Sequence, residues 1–274
     1  MSVKSIIRGK PLTSYFIFAY GISWIGAFIL VAPKLLTGQA ITKNDGLLMF
    51  PVMLLGPSLS GIISTFVLKG RAGLKDLLKR MGNWKLPLGW YAFPLLLPFL
   101  ILLTLLFLFS FVSKIFAPNF FAIGILFGIP AAFFEEIGWT GFALPRLLLK
   151  MNNLRAGIML GLLWGFWHLP VIDFLGAASP HGAYLLPFFL SFVLLHTAVR
   201  TLMTFIYART QSILMMQIIH AISTGSLVIF GPPSVSPGQE TLWYFLYAVM
   251  VWMVVLIVFL ADLPATGGLT QTDS

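Results

Sequence analysis

Cysteine is absent from this 274-residue chain, and charged side chains make up only 9% of it. Without cysteine, the protein has no disulfide framework, no thiolate metal site and no cysteine nucleophile. Acidic residues are the scarcest charged group, with 8 Asp and Glu against 17 Lys and Arg. Any chemistry therefore depends on a few carboxylates, on the 4 histidines and on hydroxyl groups.

Hydrophobic residues make up 59% of the chain, and its mean hydropathy is +0.97. These values lie far outside the range of soluble globular domains. Stretches long enough to cross ~30 Å of hydrocarbon as helices fall near residues 14–33, 46–68, 88–112, 120–144, 156–174, 184–208, 211–230 and 241–262. The sequence therefore predicts an all-α polytopic transmembrane bundle of eight spans, forming one domain over residues 1–274.

The two ends of the chain differ in character. The apolar run near residues 15–31 follows basic residues, as in a secretory signal, but has no convincing small-x-small cleavage site. We therefore expect it to be a retained first span. Residues 264–274 are rich in Gly and Thr, and we expect this tail to be disordered.

Basic residues are distributed unevenly between the predicted connections. One side carries only Lys34, Lys43 and Lys114. The other side carries a much longer set: Lys4, Arg8, Lys10, Lys69, Arg71, Lys75, Lys79, Arg80, Lys85, Arg146, Lys150, Arg155 and Arg209. Because positive charge is enriched in cytoplasmic loops, both termini are predicted to be cytoplasmic, as an even number of spans requires. Nucleic acid is not an expected partner, since these residues lie in short connections between apolar runs rather than along one exposed face.

Two adjacent glutamates, Glu135 and Glu136, fall inside the fourth predicted span. A charged side chain at mid-membrane costs ~2.5–3.5 kcal/mol on insertion scales, so the pair needs a polar environment and a function. On a helix the two point about 100° apart. One is therefore expected to face a polar interior while the other meets a neighbouring helix or a partner charge. An interhelical ion pair without chemistry is the alternative.

Two histidines lie in other predicted spans, His168 in the fifth and His220 in the seventh. Trp164 precedes His168 by one helical turn and Thr224 follows His220 by one turn, so each pair shares a helix face. Taken alone, each histidine is as well explained by hydrogen bonding between helices. Counted at 1.5 Å per residue, however, Glu135 and both histidines lie ~16–20 Å from basic residues of the cytoplasmic side. We therefore predict one polar cavity suited to water activation or metal binding.

The remaining polar residues inside the apolar stretches fall into two groups. His196 and Arg200 lie one turn apart on the sixth predicted span, at a related depth. Arg200 is therefore the candidate counter-ion for Glu136. Asp173 and His181 fall at the opposite membrane end, where a solvated loop without chemistry is expected.

Three motifs in a fixed order resemble the CPBP family of intramembrane proteases, which contains CAAX prenyl endopeptidases and bacteriocin-processing or immunity proteins. The motifs are Glu135-Glu-Ile-Gly-Trp-Thr-Gly-Phe-Ala-Leu-Pro-Arg146, Trp164-Gly-Phe-Trp-His168 and His220-Ala-Ile-Ser-Thr224. The resemblance covers about residues 120–230, which form the family-like core of the single domain. The first three spans contribute nothing to it.

The resemblance implies hydrolysis of a peptide bond in a membrane-associated substrate. Its implied catalytic residues are Glu135, Glu136, His168 and His220. Glu135 would be the general base on a water, and His168 would orient that water or hold a metal. His220, together with Thr224, would stabilise the oxyanion or provide another ligand.

This chain departs from the family pattern at two positions. Trp164 matches the aromatic residue expected before the first histidine. Thr140, however, stands where the family has an arginine, and Thr224 stands where an asparagine is usual. Arg200 is the predicted replacement for the missing arginine, as the cation that pairs with Glu136.

The residues alone leave the cofactor and two other functions open. Zinc held by Glu135, His168 and His220 is compatible with the donor types, and so is a metal-free site with neutral donors. One alternative is a non-catalytic family member, acting as a bacteriocin immunity or scaffold protein. Another is a transporter or proton relay that uses Glu135, Glu136 and Arg200. The expected partners are the lipid bilayer of the cell membrane and a membrane-associated peptide or protein.

Overall fold

The computed structural model describes residues 2–116, 123–232 and 234–266. All regular elements in these ranges are helical, which confirms the all-α prediction. In chain order they are α1 (Val3–Gly9), α2 (Pro11–Leu36), α3 (Lys43–Met81), α4 (Gly89–Ser110), α5 (Ile123–Gly138), α6 (Leu144–Leu148), α7 (Asn153–Trp167), α8 (Leu185–Thr210), α9 (Ile213–Phe230) and α10 (Pro237–Thr266). A π-helical segment, Trp139–Ala143, joins α5 to α6.

The helices form a membrane bundle. Within the described residues, five are long and apolar enough to cross a bilayer: α2, α3, α8, α9 and α10. Helices α5 and α7 have only 16 and 15 residues, fewer than the ~20 that a straight crossing needs. The π-helical segment and α6 extend α5 without a break to Leu148. The chain is thus a multi-pass helical membrane protein, while the count of eight spans and the cytoplasmic termini stay predictions.

The third helix is much longer than its predicted span of residues 46–68. The basic residues that follow were expected in a short loop, but α3 continues through them to Met81. Lysines, leucines and arginines favour helix, and Asp76 pairs with Arg80 one turn later at 3.0 Å. The change of direction occurs at Gly70, whose φ of 58° and ψ of −151° are not helical.

Both the first predicted span and the start of the tail predicted to be disordered are helical in the structure. The apolar run near residues 15–31 lies within α2, which packs on α3 through a hydrogen bond from Ser23 Oγ to the Met53 carbonyl at 2.6 Å. The tail predicted to be disordered begins inside α10, which continues to Thr266. Residues 267–274 lie outside the described part of the chain.

Two close helix contacts position the polar residues. A Cβ at Gly157 or Gly161 of α7 would lie 2.6 or 2.5 Å from the Cα of Thr201 or Thr197 on α8, too close for any side chain. Small residues of this kind let membrane helices approach each other closely. The contact brings Trp164, on the next turn of α7, against α8.

Helices α5 and α9 meet in the same way. A Cβ at Gly128 would lie 2.6 Å from the Ala221 carbonyl oxygen, and one at Gly124 would lie 2.6 Å from that of Gly225. The resulting close approach sets the glutamates at the end of α5 beside His220 of α9.

Candidate active site

The indole of Trp164 is the centre around which the predicted polar residues meet. Its Nε1 donates to Glu135 Oε2 at 2.6 Å, and its carbonyl lies 2.9 Å from His168 Nδ1. The imidazoles of His196 and His220 contact the ring edge-on, with centroids 4.5 and 4.9 Å from it. Helices α5, α7, α8 and α9 contribute Glu135, Trp164, His196 and His220, and His168 directly follows α7. The shared depth of Glu135, His168 and His220 predicts that they meet.

Glu135 is held by indole groups. Trp164 and Trp139 both donate to its Oε2, at 2.6 and 3.2 Å, so neither indole occupies Oε1. The residue is 2% exposed, and no cation pairs with it in the part of the chain that the structure describes. The cluster is therefore closed, with a single carboxylate oxygen left to meet a water.

Glu136 has a different environment, because charged and polar side chains form hydrogen bonds with both of its carboxylate oxygens. Arg200 Nη2 donates to its Oε1 at 2.7 Å and Nη1 donates to its Oε2 at 2.8 Å. His220 Nδ1 lies 2.8 Å from Oε1, and the hydroxyl of Thr140 donates to Oε2. The predicted pairing of Glu136 with Arg200 is thus present as a bidentate ion pair, in which both side chains are fully buried.

Arg200 is itself enclosed by the cluster. Its guanidinium carbon lies 4.3 Å from the Trp164 ring centroid, and among the described residues its Nε has no hydrogen-bond partner. Removing one partner of such a buried pair costs about 3–5 kcal/mol, since it leaves an uncompensated charge. A cation from α8 therefore neutralises Glu136. The family pattern instead places an arginine at position 140, on the same helical segment as the glutamates.

The histidines are oriented by acceptors on their Nδ1 side. His168 and His196 each direct Nδ1 at the carbonyl one turn earlier, that of Trp164 and that of Phe192, at 2.9 and 2.8 Å. A carbonyl can only accept, so these Nδ1 atoms carry hydrogen and the Nε2 atoms of the neutral rings are acceptors. The ring centroids of His168 and His196 are 5.0 Å apart.

His196 is the member of the cluster to which the sequence assigned a position but no function. It is 8% exposed and stacks on Phe192 with centroids 3.8 Å apart. The signal was its spacing of one turn before Arg200. Thr224, on the other hand, lies one turn beyond His220, and its hydroxyl forms no hydrogen bond with either glutamate or with His168.

The π-helical segment sets the direction of the chain after the glutamates. Leu144 N–H bonds to the Trp139 carbonyl five residues earlier, and π turns of this kind recur at functional sites. Pro145 has no N–H, so it cannot make the usual helical bond to the Gly141 carbonyl. Arg80 Nη2 donates to that carbonyl instead, at 3.0 Å, which ties α3 to the segment.

The predicted zinc ligands do not form a ligand set. No three His, Asp or Glu side chains within residues 2–116, 123–232 and 234–266 are placed to hold a metal ion. Glu135 Oε2 is bonded to indoles, and one ring nitrogen each of His168 and His220 faces a protein acceptor. No catalytic step is therefore assigned to a metal.

The structure contradicts the prediction that the loop after α7 is solvated. His181 is 1% exposed, lies 3.0 Å from Asp173 Oδ1 through Nδ1 and 3.6 Å from Glu240 Oε2 through Nε2, and stacks on Phe188. Glu240, on the first turn of α10, also accepts the N–H groups of Ala177 and Ala178 at 2.8 and 2.7 Å. The loop folds inwards because this distant carboxylate satisfies its backbone, and nothing in the local sequence signals that.

Comparison with known proteins finds a matching family model and a curated relative. Residues 116–226 match the model of the family described as type II CAAX prenyl endopeptidase Rce1-like. The CAAX prenyl protease 2 of Methanococcus maripaludis is 33% identical over 137 residues, which cover 44% of this chain and 50% of the relative. The resemblance to the CPBP family is confirmed. The chain spans about half the length of this relative.

These similarities narrow the function. Both matches carry the name of a prenyl endopeptidase or protease, and the family model covers Glu135, Glu136, His168 and His220. The chain is accordingly a membrane protein that resembles a peptidase family over residues 116–226. Neither match favours an immunity protein, a scaffold or a transporter.

Proposed function

We propose that this protein is an intramembrane endopeptidase in which Glu135 activates a water for attack on a peptide bond. One observation carries the proposal: of two adjacent buried glutamates, Glu136 is neutralised by Arg200, whereas Glu135 faces only indole donors. The charges of Glu136 and Arg200 cancel, so Glu135 is the carboxylate of this pair that is left to act as a base. A general base has to be within reach of the water's proton and free to take it.

The proposed reaction balances with residues of this chain. Glu135 Oε1 accepts a proton as the water oxygen bonds to the substrate carbonyl carbon. The proton then passes to the amide nitrogen as the C–N bond breaks, which yields a carboxylic acid and an amine. The indole bonds from Trp164 and Trp139 fix the carboxylate while this happens.

The two histidines complete the proposed site in different ways. His168 presents Nε2 as an acceptor that orients the water, since its Nδ1 is bound to the Trp164 carbonyl. His220 is held by Glu136 through Nδ1, so its Nε2 faces away from that carboxylate. We assign to His220 the stabilisation of the developing oxyanion, through an N–H on Nε2 directed at the substrate carbonyl oxygen. Glu136 and Arg200 act as positioning residues for it.

The proposed substrate is a membrane-associated peptide or protein. The archaeal relative is named a CAAX prenyl protease, so a prenylated peptide ending in a CAAX sequence is the first substrate to test. Since Glu135 is 2% exposed, a substrate segment has to separate the helices around Trp164 to reach it.

The deciding experiment is cleavage of a fluorogenic prenylated CAAX peptide by the purified protein in lipid nanodiscs. Glu135→Gln keeps the size of the side chain but removes the base, and we expect turnover to fall by roughly 10²–10⁴-fold. Glu240→Gln is the matched control, because it removes a buried carboxylate outside the cluster. Parallel reactions with the unprenylated peptide and with a chelator test the lipid requirement and metal dependence. Unchanged turnover in Glu135→Gln would exclude the proposed base.

A further inference from the structure

A second polar site lies away from the glutamates, at the end of the bundle where the basic residues collect. It is a cavity of about 440 Å³ between α3, the segment that ends in α6, and the last turns of α8. This volume is in the range of ~300–1,000 Å³ typical of small-molecule sites. Its charged and hydroxyl-bearing lining includes Lys69, Asp76, Arg80, Arg146 and Tyr207. We call it the basic cavity.

The charge of the basic cavity is unbalanced. Asp76, its one carboxylate, accepts Arg80 Nε at 3.0 Å. The other two nitrogens of Arg80 also have protein partners, because Nη1 donates to the Tyr207 hydroxyl at 2.9 Å and Nη2 donates to the Gly141 carbonyl. The charges of Lys69 and Arg146 are left without an anion, so the lining carries two uncompensated positive charges.

Both of these cations have hydrogen-bonding capacity to spare. Lys69 makes no hydrogen bond or ion pair with any residue that the structure describes. Among the same residues, Arg146 donates one hydrogen bond, from Nη1 to the Phe142 carbonyl at 2.8 Å. The Arg146 guanidinium rests on the Phe142 ring, 3.6 Å from its centroid, which fixes its plane. The Tyr207 hydroxyl accepts from Arg80, so its own hydrogen is available to a ligand. Together these donors suit a phosphate, which accepts several charged hydrogen bonds.

The rim of the basic cavity shows what kind of phosphate fits. Leu149 lines it and is 86% exposed, so an apolar surface adjoins the cationic interior. A soluble anion gains nothing from such a rim, whereas a phospholipid places its head group on the cations and its chains against the leucine. Basic pockets between membrane helices bind anionic head groups in this way.

We infer that the basic cavity binds the phosphate head group of an anionic phospholipid. Binding at this position also supports the peptidase-like half of the chain. Arg80 joins the cavity wall to the Gly141 carbonyl, in the π-helical segment that follows Glu135 and Glu136. The inference needs no peptide substrate and is independent of the proposed catalytic mechanism.

The test is lipid binding by the delipidated full-length protein, measured by native mass spectrometry with phosphatidylglycerol and phosphatidylcholine. We expect preference for phosphatidylglycerol, and a loss of about tenfold or more in its affinity in the double variant Lys69→Gln/Arg146→Gln. Lys75→Gln/Lys79→Gln is the matched control, since it removes equal charge from exposed positions of α3 that do not line the cavity. Its affinity should change less than about twofold, because charge outside the cavity contributes only through screened long-range attraction.

A single variant guards against loss of folding. Lys69 is exposed and unpaired, so Lys69→Gln leaves the packing intact and should still weaken phosphatidylglycerol binding. Equal affinity for both lipids, or equal loss in the two double variants, would overturn the inference. Stabilisation of the delipidated protein by inorganic phosphate as strong as that by phosphatidylglycerol would overturn the assignment to a lipid in favour of a soluble anion.

Discussion

Two carboxylate–histidine clusters lie among the described residues, and the negative charge of their carboxylates is balanced by different kinds of cation. In the helix interior, the charge of Glu136 is balanced by Arg200, and His220 binds the same carboxylate through Nδ1. In the loop cluster, His181 lies between Asp173 and Glu240, and no Lys or Arg of the described residues pairs with either carboxylate. The cation there has to be the imidazolium. Charge is therefore permanent in the first cluster and depends on pH in the second.

The titration of His181 follows from this arrangement. Burial of the ring lowers the pKa of His181, but the neighbouring carboxylates of Glu240 and Asp173 outweigh that effect and raise it above its ordinary value. A histidine whose pKa is raised by folding stabilises the protein fully below the unfolded pKa. That contribution is lost as the pH rises through the folded pKa.

The largest effect is expected when Arg200, the permanent cation of the first cluster, is removed. Arg200→Gln leaves Glu136 buried without a counter-ion, and we expect the free energy of unfolding in mixed micelles to fall by about 3–5 kcal/mol. The double variant Glu136→Gln/Arg200→Gln should recover part of this loss, because no charge then remains unpaired. Arg155→Gln, at an exposed position, is the control. Strictly additive losses in the double-mutant cycle would show that the pair does not act as a unit.

The loop cluster should respond less strongly, and only at low pH. His181→Gln removes the imidazolium from its two carboxylates, for an expected loss of about 1.5–3 kcal/mol below the unfolded pKa of ~6.5. The difference from the unmodified protein should shrink as the pH rises, since the native histidine then loses its proton. Unfolding measured across the pH range tests the sign. A difference that grows with pH would contradict the assignment of His181 as the cation.

The smallest effect is expected at the position that departs from the family pattern. Thr140→Val keeps the shape but removes the hydroxyl bond to Glu136, whose charge stays paired with Arg200. We expect a loss of about 1 kcal/mol in unfolding free energy, with little change in peptide cleavage. A loss as large as that of Arg200→Gln would mean that Thr140, rather than the arginine, is the principal partner of Glu136.

The sequence determines the features that depend on the cost of polarity in an apolar environment. Its composition predicts a helical membrane bundle, and the expense of burying Glu135, Glu136 and Arg200 predicts that they gather and that two of them pair. The order of the motifs adds the family. These inferences hold because few arrangements satisfy charges inside hydrocarbon.

Only the tertiary structure decides which groups share each partner. Nothing in the sequence indicates that Trp164 donates to Glu135, because that contact depends on the close glycine-lined approach of α7 to α8. The inward fold of the His181 loop is equally hidden, since its stabilising carboxylate, Glu240, follows 59 residues later on α10. Near water, a histidine or a carboxylate is tolerated with or without a partner, so its residue type alone does not predict the contact.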